Sequence, residues 1–137
     1  MQMVRTIFMI LFLLIQSGWS LFAQDRSNSG KEFWLGYGHN VMFNANAGNN
    51  SQTLVLYIST TLPATVVVSI PGNGWSQTVV VPANSVDATV IIPKAGLQDA
   101  RLTGEGLFNR GIHVKADVPI VLNAHQYGLN SSGAMMV

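Results

Sequence analysis

Cysteine is absent from this chain, and charge is scarce. Without cysteine there are no disulfides, no thiolate metal sites and no cysteine nucleophile. Only 9% of residues are charged, well below the ~25% usual in soluble domains. Lys and Arg number 7, and Asp and Glu number 6. A surface this neutral does not suit nucleic acid, whose phosphates select basic patches. It is equally unsuited to electrostatic docking on anionic lipid. Asn, Ser, Thr and Gly fill the gap, a composition that fits an exported β-protein. A small exported domain with no disulfide must be held by its core alone. That favours a bacterial envelope or secreted protein over an animal one.

The N-terminus points the same way. Arg5 precedes an unbroken apolar run, Ile7 to Ile15, followed by the polar and small residues Gln16 to Ala23. Residues 1–23 therefore read as a secretory signal peptide. The apolar run is much shorter than the ~20 residues that span a bilayer. The expected cut follows Ala23, with Ser20 as second choice and a retained single-pass anchor as the alternative. After cleavage no membrane insertion is expected, and removal of Arg5 leaves the formal charges balanced. Residues 24–30 (QDRSNSG) read as a flexible leader and residues 31–137 as the domain.

Alternation of apolar and polar residues gives eight strand signals. Phe33, Leu35 and Tyr37 alternate with Trp34 and Gly36 in the first. Leu54–Ile58, Thr65–Ile70, Trp75–Val81 and Val86–Ile92 follow, separated by turns at 71–74 and 82–85. Pro93 ends the fifth by removing a ladder donor. Residues 94–109 are irregular, with room for one helical turn over 97–102. Ile112–Ala116, then Pro119 through His125 to Tyr127, read as two further strands, with Asp117 as a turn residue between them. Ala134–Val137 opens the last. The expectation is an all-β fold, an antiparallel β-sandwich. Because Met135-Met136-Val137 ends apolar within a strand pattern, the sandwich is expected to be incomplete at the C-terminus, the front of a longer domain.

Candidate chemistry is sparse. His39, His113 and His125 match no compact ligand motif, so no metal and no cofactor are expected. His113 and His125 are assigned to neighbouring strands. Nothing marks a glycosidase pair among Glu32, Asp87, Asp99, Glu105 and Asp117. There is no G-x-S-x-G; Ser131 and Ser132 near His125 are the one Ser/His arrangement, and a plain turn is the expected reading. No catalytic residues are assigned. Asn44 to Gln52 forms an Asn- and Gly-rich loop without carboxylates, read as a surface loop rather than a calcium loop. Trp34, Trp75 and Tyr127 are candidates for stacking on a glycan, although strand aromatics are more often packing partners. Trp75, just after a tight turn, is the best candidate among them for exposure. Trp75 with Asn44, Asn46 and Asn49 forms the candidate ligand-binding set.

Two stretches carry a family likeness. One is Gly30-Lys31-Glu32-Phe33-Trp34-Leu35-Gly36-Tyr37. The other runs from Gly111 to Val121 and continues through Ala124-His125-Gln126-Tyr127 and Ser131 to Ala134. With Leu56–Ser59 and Ser69–Gly72 between them, the chain resembles the IgGFc-binding protein N-terminal domain family over residues 30 to 137. The resemblance implies the front module of a large exported Bacteroidetes protein. It brings no catalytic or binding residues, and antibody binding is not carried over. The function expected is a non-catalytic extracellular binding or adhesion module of a secreted or cell-surface bacterial protein, with an extracellular protein or glycan as partner. A structural spacer, or the front domain of a secreted enzyme, is the alternative.

Overall fold

The computed structural model describes residues 28–38, 52–128 and 132–137. The signal peptide, most of the leader, His39, Asn44, Asn46, Asn49 and Ser131 lie outside the described residues. Seven strands are present: β1 (Ser29–Leu35), β2 (Thr53–Thr60), β3 (Ala64–Ile70), β4 (Trp75–Val81), β5 (Ser85–Ile92), β6 (Ile112–Tyr127) and β7 (Ser132–Met136). One 3-10 turn, Gly96–Gln98, sits in the irregular stretch. The fold is all-β, and every paired strand is antiparallel to its neighbour. β1 starts at Ser29, inside the segment read as leader.

Strand pairing shows four long rows, three of them broken part-way. Thr53–Ser59 of β2 pairs with Tyr127–Val121 of β6, and Val66–Ser69 of β3 pairs with Ala116–His113. β2 and β3 thus lie end to end along one edge of β6. β1 and β7 occupy its other edge, since Val121 pairs with both Ser29 and Ser59, and Lys115 with both Glu32 and Val67. β4 and β5 form the outermost row, against β3 and β2 respectively. The β2/β3 break contains Pro63, the β4/β5 break contains Pro82, and the irregularity within β6 contains Pro119. Proline supplies no ladder donor, so it collects where pairing lapses.

The expected break at Asp117 is therefore corrected. Ile112 to Tyr127 is a single 16-residue strand, and His113 and His125 share it. The bulge holds Asp117 and Pro119 without ending the strand. Between Lys115 and Ile120 the β1 register jumps. There the Asp117 carboxylate accepts the Thr65 amide at 2.8 Å, and the Asp117 carbonyl accepts the Lys31 ammonium at 2.9 Å. Side chains complete the hydrogen bonds that the ladder leaves open. The amide from Thr65 is the main reason the Asp117 carboxyl sits below its ordinary value.

Alternation follows the pleat. Ile112, Val114, Ile120, Leu122 and Ala124 of β6 are buried, while the intervening residues are half-buried or exposed. Ala64, Val66, Val68 and Ile70 do the same in β3. These join Leu54, Leu56, Ile58, Val90 and Ile92 in one core cluster containing residues from both halves of the β2/β3 and β4/β5 rows, with Leu35 from β1. A single flat sheet leaves one face wet, so the sheet curls about its breaks and the two halves share the core. The structure is one hydrogen-bonded, curled antiparallel sheet, continuous through β6, in keeping with the expected all-β class.

Candidate functional site

The outer face of the sheet carries the chemistry. On β6 it presents His113, Lys115, Asn123 and His125, the residues alternating with the core. Trp34 of β1 is the cross-strand partner of His113. Its indole lies flat on the imidazole, with ring centroids 4.2 Å apart and planes 12° from parallel. The His113 Nε2 is 2.7 Å from the Glu32 carboxylate, two residues earlier on the same face of β1. The imidazole is thus held between an indole and a carboxylate. The backbone carbonyl of His113 also accepts the Ser69 hydroxyl at 3.4 Å. Trp34 remains 60% exposed, an aromatic plate fixed on one side and open on the other. Glu32 and Lys115 form the next cross-strand row.

A second cluster sits at the far end of β6. His125 Nε2 lies 2.6 Å from the Ser132 hydroxyl on β7. The Tyr127 and Tyr57 rings tilt against the imidazole, with centroids 5.2 Å and 6.1 Å away. A serine nucleophile needs its base oriented by a third group. Among the described residues no carboxylate bonds His125. Glu32 is engaged with His113, Asp99 with Arg101, and Asp117 with the Thr65 amide. The Ser132–His125 contact links the edge strand β7 to β6 across the open face. No group of three or more metal-ligating side chains gathers among the described residues.

Trp75 stands differently from the expectation. It is half-buried and packs against the core at the start of β4. The turn before it is tight: the Asn73 and Gly74 amides both donate to the Ile70 carbonyl at 3.1 Å, and the Asn73 side chain accepts the Trp75 amide at 3.0 Å. Among the described residues the exposed indole is Trp34, and its signal lay in the alternation of β1, where Phe33 and Leu35 take the core side. What the alternation could not show was the partner, because His113 arrives from a strand far along the chain.

A polar brace lies in the irregular stretch before β6. Arg101 grips Asp99 through two nitrogens at 2.8 and 2.7 Å, both side chains being 13% exposed. Burial alone raises the Asp99 carboxyl, but its hydrogen bonds from Arg101 outweigh that and hold it below its ordinary value. Tyr37, buried beside this brace, donates its hydroxyl to the Val55 carbonyl at 2.5 Å. Burial first, then nearby Tyr57, pushes its phenol well above the ordinary tyrosine range.

Comparison with known proteins returns no match to any protein-family model, curated protein or solved structure. Among the described residues no helix is long and apolar enough to cross a membrane.

Proposed function

We propose that this chain is a non-catalytic extracytoplasmic binding or adhesion module of a secreted or cell-surface bacterial protein, and that the Trp34 face is where it meets a glycan or protein ligand. The observation that carries the reading is the Trp34 plate. A large apolar ring 60% exposed on a sheet face, yet immobilised by His113, has little entropy left to lose on binding. Aromatic anchors of this kind dominate binding surfaces. Glu32 and Lys115 beside it supply hydrogen-bonding groups of both signs. The signal-like N-terminus and the resemblance to the IgGFc-binding N-terminal domain family support an exported role.

The test is a screen of the full chain against a glycan array and against extracellular matrix proteins, repeated with Trp34→Ala. Binding that falls ten-fold or more in the variant, with an unchanged melting temperature, is the expected result. Undiminished binding by Trp34→Ala would remove this face from the function. A screen with no binder at all would favour the spacer role.

A further inference from the structure

The irregularities of four strands meet at one place. β2 gives way to β3 after Thr60, β5 carries a register shift against Ile58–Thr60, β6 bulges before Ile120, and β1 begins at Ser29. Bulges re-aim side chains and interrupt pairing, and they gather beside functional sites. Here they open a groove of about 460 Å³, within the usual range for small-ligand sites of ~300–1,000 Å³.

The lining is short and uncharged. Ser29, Ser59, Thr60, Thr61, Asn84 and Ser85 supply its polar residues, and no charged residue lines it. Ser59 accepts the Asp87 amide, and Thr60 donates to the Leu62 carbonyl. Ser29, Thr61, Asn84 and Ser85 make no side-chain hydrogen bond among the described residues and are free to engage a ligand. Val86, Pro119 and Val121 add apolar surface, and Val86 is 77% exposed. Asn84, in the turn just before β5, and Asp87 on β5 hold left-handed backbone, φ 56° and 60°. That conformation is unfavourable for residues other than glycine. It carries Ser85 and Val86 at the rim of the groove.

The geometry points to a second ligand site in this groove, one that takes a neutral, polyhydroxylated molecule, a short saccharide. Such a ligand offers hydroxyls to Thr61, Asn84 and Ser85, and a C–H face to Pro119 and Val86. A phosphate or uronate finds no cation to neutralise it, so an anionic ligand pays desolvation without return. The groove is independent of the Trp34 plate. Ser29 and Trp34 are five residues apart on β1, roughly 17 Å at ~3.4 Å per residue.

The test is an amide chemical-shift titration of the full chain with cellotetraose, maltotetraose and chitotetraose, and with tetragalacturonate as the anionic comparison. At least one neutral probe is expected to shift the Thr60, Ser85, Val86 and Val121 amides, and tetragalacturonate to shift none of them. Asn84→Gly keeps the left-handed backbone while removing the amide, and Val86→Trp fills the groove from an exposed position. Each should weaken the neutral probe at least five-fold, while Trp34→Ala leaves it unchanged. The inference is overturned if no neutral probe shifts those amides, if tetragalacturonate shifts them more strongly, or if both groove variants bind normally. A Trp34→Ala defect confined to the outer face would bear only on the Trp34 reading.

Discussion

At the scale of single residues, backbone space and burial decide more than side-chain type. A Cβ at Gly72 would lie 2.0 Å from the Asn109 carbonyl oxygen, so the β3–β4 turn cannot accept a side chain without moving the backbone of another loop. Gly72→Ala is expected to cost roughly 2–4 kcal/mol, the scale of strong single-site strain, seen as a lower midpoint in chemical unfolding. Gly74, at φ 75° with nothing near its Cβ position, should cost only about 1 kcal/mol as alanine. Tyr37 behaves as a buried donor. Its raised phenol keeps its proton while the chain is folded. Its contribution to stability is therefore complete below the ordinary tyrosine value and is lost as pH rises toward the folded one. In an ultraviolet titration, one of the three tyrosines should ionise only with unfolding. Tyr37→Phe should abolish that late step and cost ~1 kcal/mol.

At the scale of elements, local chemistry predicts strands well and their continuity poorly. The alternation in Leu54–Ile58, Thr65–Ile70, Trp75–Val81 and Val86–Ile92 agrees with β2 to β5 within one or two residues. Asp117 and Pro119 look like a strand end because each disfavours the ladder. They lie inside β6 because a bulge and the Thr65 amide absorb both. No local pattern could show that, since Thr65 is 52 residues away. The Asp99–Arg101 brace is likewise an element-scale device, fixing the irregular stretch before β6. Hydrogen bonds from Arg101 depress the Asp99 carboxyl. The brace therefore adds stability above the ordinary carboxylate value, and that stability is lost as pH falls through the lower, folded one. Asp99→Asn is expected to lower stability at neutral pH by ~1–2 kcal/mol, given a partly buried two-point pair, and to flatten the acid limb of the stability profile. A variant with an unchanged acid limb would show that other carboxylates set it.

At the scale of the whole molecule, the curled sheet must bury its inner face without disulfides. Leu56 and Leu122 are fully buried in the shared core, on neighbouring strands β2 and β6. Truncating either to alanine should cost ~2–5 kcal/mol, measured by chemical denaturation. For a domain of this size and no cross-links, that is a large share of the ~5–15 kcal/mol total.

The sequence by itself determined the all-β class, the spans of most strands, the turns at Pro71–Gly74 and Pro82–Ser85, and the exclusion of thiol chemistry. Each follows from a preference that acts over a few residues: alternation for the pleat, glycine for positive φ, proline for a missing donor. Tertiary structure alone decided that His113 and His125 share one strand, that Trp34 rather than Trp75 stands open, and that four irregular strands meet in one groove. Those outcomes depend on the register between strands distant in the chain. Register is set by where bulges fall and by which rows share the core, and neither is written in any local stretch of sequence.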